Sequence, residues 1–303
     1  LSDLNHFFES HHISSKWSRI VYTYYGVQSV AVIEDNPYIL LRVAPDMLFG
    51  TADTLAEHLG VTGSDTRRLE AGLEWILRSL DNQGHTCLPV DQLIGRLDEL
   101  LQTDVDDIAN FIESLLEQGA LYSTYYEDIL YIYPPEMYVS EVEGVQYTRE
   151  LLLQADPISL DIPSFIEKFE RDNYITFGDA QKEAIQLSFF EKFSLITGGP
   201  GTGKTTIIKA LVKGFQLGGL GRIILCAPTG RAAKRLTEAT EFEATTIHRL
   251  LVPVQGSDSY DFTKNEDDPL DIDVIIIDEA SMLNVRLFYS LMAGLPKEAP
   301  FIN

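Results

Sequence analysis

Eight residues constrain this chain more than any others: Gly198-Gly199-Pro200-Gly201-Thr202-Gly203-Lys204-Thr205. They match the pattern GxxxxGK[ST], follow the apolar stretch 193–197 and open a helical stretch at 205–212. Glycines let the backbone curl until its N–H groups point inward at phosphate oxygens, and the helix N-terminus adds its positive end. In this arrangement Lys204 reaches the β- and γ-phosphates and the Thr205 hydroxyl coordinates Mg²⁺, with Gly199, Pro200, Gly201, Thr202, Gly203 and Thr206 completing the cradle for ATP. A dinucleotide fold is disfavoured, because its fingerprint lacks the Gly-Lys-Thr ending.

A second feature lies 74 residues after Lys204, where Val274-Ile275-Ile276-Ile277 runs into Asp278-Glu279. Four branched aliphatics make a buried strand, and both carboxylates emerge at its C-terminal end, the edge where open α/β sheets bind ligands. Asp278 is expected to hold Mg²⁺, and Glu279 to polarise the attacking water as general base. Lys204, Asp278 and Glu279 are thus the expected catalytic residues, with Thr205 and Asp278 as metal ligands. Upstream, Gln181 sits 17 residues before the first loop glycine. Its amide both donates and accepts, which matches the N6 and N7 edge of adenine.

Between loop and carboxylates lie Ala227-Pro228-Thr229-Gly230-Arg231-Ala232-Ala233-Lys234-Arg235 and Thr245-Thr246-Ile247-His248-Arg249. Thr229, the Gly230 amide and Arg231 stand where a helix N-terminus can grip a phosphodiester. A basic solvated helix face is the plainer alternative. His248 reads as a structural histidine.

From residue 173 onward short apolar strands (193–197, 222–227 and 274–278) alternate with helices, which predicts βαβ units and a parallel sheet. Residues 255–273 are polar and read as a surface loop. The front half is different. Stretches from 15 to 80 have helical periodicity broken at Asn36-Pro37, Ala44-Pro45 and Gly60, and Leu69, Leu73, Ile76, Leu77 and Leu80 form one apolar stripe capped by Asp65 or Ser64. Helices near 90–101 and 104–118 precede a Tyr- and Ile-rich hairpin over 120–133 with its turn at Glu127-Asp128, which suggests a winged-helix-like module. The acidity of residues 98–107 favours a packing module over a DNA contact. A helix from 135 to 154 leads to a proline-marked linker over 155–163. The predicted organisation is therefore a helical region over 1–83, the winged-helix-like module over 84–134, a connecting helix and linker over 135–172, and an α/β P-loop lobe over 173–303.

Charge is uneven. Residues 1–170 carry 29 acidic and 9 basic side chains, whereas 171–303 carry 17 and 14, so the total of −23 is concentrated in the front half and leaves the lobe nearly neutral. A nucleic-acid groove on the lobe is compatible with that balance. No apolar run approaches the roughly 20 residues of a membrane span. Cys87 and Cys226 have neither disulfide-framework nor CxxC spacing and fit a reducing cytoplasm. Residues 1–10 lack signal-peptide character, and the start at Leu1 leads us to expect natural sequence before it.

In order and spacing, Gln181, the GGPGTGKTT loop, APTGRAAKRL, TTIHRLL and IIIDEASM closely resemble the RecD-like branch of superfamily 1 helicases. Ile33-Glu34-Asp35-Asn36-Pro37-Tyr38, Thr51-Ala52-Asp53 and Gly84-His85-Thr86-Cys87-Leu88-Pro89 extend the resemblance to the longer bacterial members that work without nuclease partners. The resemblance implies a RecA-like motor lobe behind a helical, helix-hairpin-helix-like region. It implies an ATP- and Mg²⁺-dependent DNA helicase, usually monomeric, that moves 5′ to 3′ on single-stranded DNA in repair or recombination. It also implies a DNA path through Thr229, Gly230, Arg231 and Thr246. A repair protein docked on the acidic front half is a further expectation, and a P-loop ATPase of another class acting on protein is the alternative.

Two departures matter. Asp46 and Leu48 stand where the family's hairpin is expected to carry glycines, which puts phosphate binding there in doubt. The second motor lobe, its arginine finger and the motif with GD and Q do not occur in these 303 residues. Residues 1–303 alone are therefore expected to bind nucleotide weakly without turning over ATP or unwinding DNA.

Overall fold

The computed structural model describes residues 1–44, 46–154, 157–199, 201–256, 260–296 and 301–302. The chain divides into two compact units, Leu1–Tyr138 and Val139–Asn303.

The first unit opens with six helices: α1 (Ser2–Ser10), α2 (Ser18–Tyr25), α3 (Ser29–Asp35), α4 (Leu40–Val43), α5 (Phe49–His58) and α6 (Thr66–Asn82). Asn36 and Pro37 end α3 as expected. The Asn36 side chain accepts from the Tyr38 N–H and starts a new turn. Asp65 is the N-cap of α6, accepting from the Arg67 N–H at 3.0 Å, and Leu69, Leu73, Ile76 and Leu80 are buried along one face, with Leu77 half-buried.

A short β1 (Leu88–Pro89), α7 (Val90–Leu101), α8 (Val105–Glu117), β2 (Tyr122–Tyr126) and β3 (Ile129–Tyr133) follow. The antiparallel sheet runs β1-β3-β2, and α6 packs on α7. With α6 counted, the elements run helix, strand, two helices and hairpin, the order of a winged-helix module, whereas the sequence reading starts the module at residue 84. Glu127 and Asp128 both have positive φ, 47° and 63°, in the two-residue hairpin turn. One apolar core runs without a break from Leu4 to Ile132.

A buried polar knot ties this unit together. Arg68 on α6 makes a two-pronged ion pair with Asp53 on α5, both contacts at 2.8 Å, with only 8% and 14% of the two side chains exposed. Tyr38 donates to the same carboxylate at 2.5 Å. Arg68 also donates to the Gly63 carbonyl and to the Thr103 hydroxyl between α7 and α8. Burial and the Asp53 carboxylate hold the Tyr38 phenol far above its ordinary pKa.

Helix α9 (Pro135–Leu152) crosses the division between the units. In the second unit come α10 (Ile162–Asn173), α11 (Asp179–Phe190), α12 (Lys204–Leu217), β4 (Ile223–Ala227), α13 (Gly230–Thr240), β5 (Ala244–Thr246), α14 (Ile247–Leu251), β6 (Val274–Ile277), α15 (Val285–Ala293) and β7 (Phe301–Ile302). The parallel sheet runs β5-β4-β6-β7. Alternate residues of β6 serve opposite faces. Val274 and Ile276 join a phenylalanine-rich core with α10, α11 and α12, and Ile275 joins Cys226, Ile247, Leu287 and Leu291 on the other face. Gly214 on α12 lies against the ring of Phe189 on α11 so closely that a Cβ there would stand 2.1 Å from Cζ.

Three expectations need correction. The stretch 193–197 is not a strand ladder. Phe193 bridges to Ile302 and the Ser194 N–H donates to the Ile302 carbonyl at 2.9 Å, but among the described residues no strand forms over 193–197. The linker assigned to 155–163 ends earlier, because Asp161 caps α10 and Pro163 occupies its first turn, where its missing N–H costs nothing; Ala155 and Asp156 lie outside the described residues. The loop over 255–273 is not all surface, since Phe262, Leu270 and Ile272 are buried in the second core. Among the described residues no helix is long and apolar enough to cross a membrane.

Candidate nucleotide site and its neighbourhood

Every parallel strand delivers its following segment to the same edge of the sheet, and the expected site residues collect there. Gly201 and Gly203 have φ of 75° and 82°, the left-handed region that side chains other than glycine's strain to adopt. A Cβ at Gly199 or Gly201 would meet open space, whereas one at Gly203 would stand 2.5 Å from Gln181 Nε2. Pro200 lies outside the described residues. Helix α12 starts at Lys204, whose ammonium turns back to donate to the carbonyls of Gly198 and Gly199, the latter at 3.0 Å. The Thr202 hydroxyl donates to the Gly199 carbonyl as well, at 2.8 Å. Thr205 is exposed in the first turn of α12 and Thr206 is half-buried.

Gln181 lies in the first turn of α11 and bridges two elements. Its Oε1 accepts from the Gly178 N–H at 2.8 Å, capping the helix, and its Nε2 donates to the Thr202 carbonyl at 2.9 Å. A primary amide has two N–H groups and two lone pairs on oxygen. One of each is used here and one of each is left over.

The carboxylates enter through β6. The Asp278 N–H donates to the Cys226 carbonyl at 2.9 Å, carrying the β4–β6 ladder one residue further and fixing where the chain leaves the sheet. Glu279 then takes φ 56° and ψ 38°, a left-handed residue that turns the chain into the short 3-10 turn of Ala280–Met282. Such a conformation at a non-glycine residue costs on the order of 1–3 kcal/mol and is met at functional sites. Gly198, Lys204, Asp278 and Glu279 line one cavity between the loop and β6, together with Ser281 and Asn284. Sequence reasoning does not single out the last two; position just after the carboxylates is their only signal. Cys226 lies beneath, and burial pushes its thiol up to about 12, so it is an inert apolar wall.

Thr229 and Thr246 sit side by side in origin, because Ala227 at the end of β4 pairs with Thr246 at the end of β5. Each caps the helix that follows. Thr229 accepts from the Ala232 N–H and Thr246 from the Arg249 N–H, both at 3.2 Å. Gly230 and Arg231 are exposed at the start of α13. His248 packs edge-on to Phe262, a structural placement. The hairpin position Asp46 is also structural, since its carboxylate accepts from Trp17 Nε1 at 2.7 Å and from the Lys16 ammonium at 2.9 Å. Those contacts hold Asp46 below the usual carboxylate range, and Leu48 beside it is exposed.

Comparison with known proteins agrees with both units. Residues 1–87 match the family model described as the ATP-dependent RecD2 DNA helicase HHH domain, and residues 181–302 match that of the AAA domain. An ATP-dependent RecD2 DNA helicase of Deinococcus radiodurans is 29% identical over 290 residues, which is 91% of this chain and 39% of that protein. The chain resembles the RecD-like helicases over most of its length. The chain is also similar to the RecBCD enzyme subunit RecD of Haemophilus influenzae, 31% identical over 57% of this chain and 30% of the relative. The ATP-dependent DNA helicase dda of Enterobacteria phage T4 is 40% identical over 33% of the chain and 24% of the relative. The chain thus spans about two fifths or less of the length of these relatives.

Proposed function

We propose that this chain supplies the front half of an ATP-dependent DNA helicase, with residues 173–303 as the first motor lobe and residues 1–134 as accessory helical and winged-helix-like modules. The observation that carries this is the meeting of Lys204, Asp278 and Glu279 around one cavity at the C-terminal edge of a parallel sheet, in a RecD-like chain.

The residues fit ATP with Mg²⁺. Open space beside Gly199 and Gly201 is the cradle, and the Lys204 ammonium is held at its rim by carbonyls that a phosphate can replace as acceptors. Asp278 lines the same cavity as Lys204, and with the Thr205 hydroxyl, phosphate and water it would hold the cation. When bound, Mg²⁺ neutralises charge on the phosphates. Glu279, which lines the same cavity as Asp278, orients and deprotonates the attacking water. Gln181 uses its spare N–H and lone pair on the adenine edge while its other two groups hold helix and loop.

Single-stranded DNA is the proposed track, crossing the edge beside Thr229, Gly230, Arg231 and Thr246. Exposed Arg231 contributes charge and the Gly230 amide a phosphate donor. The direction is 5′ to 3′, the setting cytoplasmic DNA repair or recombination, and the active form a monomer. The acidic front half docks a partner protein. The test is strand separation by the intact protein on duplexes with a single 5′ or 3′ tail. Unwinding of the 5′-tailed duplex alone supports the reading, and unwinding of neither, or only of the 3′-tailed one, overturns it.

A further inference from the structure

The winged-helix-like module has the order of elements that many DNA readers use, yet its chemistry is opposite. Residues 97–138 hold ten Asp and Glu and no Lys, Arg or His. The helix in the recognition position, α8, carries Asp106, Asp107, Glu113 and Glu117. Phosphate binding needs cations, so a duplex is repelled here rather than gripped.

What the module exposes instead is aromatic. β2 is the outer strand of the sheet, and all five of its residues, Tyr122-Ser123-Thr124-Tyr125-Tyr126, are exposed, with Tyr125 at 73% and Tyr126 at 64%. The register pairs Tyr122 with Tyr133, Thr124 with Tyr131 and Tyr126 with Ile129. These six residues share the face opposite to buried Ile132, and Tyr138 stacks on Tyr122 at 4.9 Å with ring planes 4° apart. In a two-residue hairpin the closing pair, Tyr126 with Ile129, exchanges hydrogen bonds, so the N–H and C=O groups of Ser123 and Tyr125 point outward from the sheet. Natural edge strands are guarded by lysine, proline, a bulge or a covering element. β2 has no charged residue and no proline, and its register with β3 is unbroken.

We propose that β2 is a docking edge for an extended basic segment of a partner protein, which adds as a fourth strand beside it. Main-chain bonds to Ser123 and Tyr125 set the register, and alternate aliphatic side chains lie on the tyrosine face. Lysine or arginine side chains of the partner meet the carboxylates of Glu127, Asp128 and the α8 helix. Charge decides the class of occupant: tyrosines alone could also stack nucleic-acid bases, but a stretch with ten carboxylates and no cation repels the phosphates that accompany them. This inference rests on the reading of the acidic front half as a protein-docking region, and it gives that region a site.

The test uses the intact protein and labelled ten-residue peptides of alternating Lys and Val, alternating Glu and Val, and Lys and Val with every second backbone nitrogen methylated. Fluorescence anisotropy reads binding, and an unlabelled single-stranded oligonucleotide serves as competitor. The plain Lys–Val peptide is expected to bind, with at least tenfold loss on backbone methylation, in Ser123→Pro and for the Glu–Val peptide, and several-fold loss in Tyr126→Ser. Methylation leaves the protein untouched, so that arm holds even where Ser123→Pro disturbs the hairpin. Lys–Val binding indifferent to both methylation and Ser123→Pro overturns the placement on β2 while keeping a basic partner for the acidic half. Absence of Lys–Val binding overturns both. Displacement of the bound peptide by the oligonucleotide, lost in Tyr126→Ser, makes the face a base-stacking platform and also overturns the proposal.

Discussion

Gln181 donates from Nε2 to the carbonyl of Thr202 at 2.9 Å, so a residue 21 positions upstream holds the phosphate loop in shape. The same amide accepts from the Gly178 N–H and retains one donor and one acceptor for a base. Gln181→Ala is therefore expected to weaken GTP binding by roughly fivefold, through the lost loop contact worth about 1 kcal/mol, and to weaken ATP binding further. Titration of both nucleotides decides between the roles. Loss confined to ATP removes the loop role, and equal loss removes the base role.

The Arg68–Asp53 pair is buried and bidentate, so removing one partner strands the other charge. Arg68→Ala is expected to destabilise the first unit by about 3 kcal/mol or more. Tyr38→Phe removes only a bond to the carboxylate and costs less, about 2 kcal/mol. Both tryptophans of this chain, Trp17 and Trp75, lie in that unit, so denaturation followed by their fluorescence measures it selectively. An Arg68→Ala variant as stable as the parent contradicts the knot's role.

That knot was invisible in the sequence. Its members, Tyr38, Asp53, Gly63, Arg68 and Thr103, are spread over 65 residues, and no spacing rule joins them. The phosphate loop, the carboxylates after β6 and the hairpin turn at Glu127-Asp128 were legible because their chemistry is local: glycine conformations, a buried aliphatic run, two turn residues between β-rich segments. Strands β1, β5 and β7 span two or three residues and carry no periodicity to read. Helix α10 was hidden by Pro163, which marks a linker as readily as a first helical turn. Stretch 193–197 has a strand's composition, yet among the described residues it makes a single bridge, Phe193 to Ile302.

Gly214→Ala places a methyl 2.1 Å from the ring of Phe189, which is fully buried and has nowhere to move. Overpacking costs about 1–3 kcal/mol, and the better helix propensity of alanine returns at most about 1. A lower melting temperature for the second unit is the expected result, and an unchanged or raised one contradicts the close approach of α11 and α12.

Asp273 accepts from the Gly221 and Arg222 N–H groups and from the Arg222 guanidinium, which holds its carboxyl at about 2 against an ordinary 3.8. Since the folded value lies below the unfolded one, the stabilisation is complete above about pH 4 and is lost as pH falls from there through about 2. After solvent screening it is on the order of 1 kcal/mol. Stability of the parent is expected to fall more steeply than that of Asp273→Asn between pH 5 and pH 2. Parallel curves contradict the ion pair's contribution.

The central claim is a DNA-driven ATPase built on Lys204, Asp278 and Glu279. Its most direct test is ATP hydrolysis by the intact protein, with and without single-stranded DNA, beside Lys204→Ala. Strong stimulation by DNA that disappears in Lys204→Ala is the predicted result. Hydrolysis that depends on Lys204 but is indifferent to DNA contradicts the helicase account and points to a P-loop ATPase acting on protein.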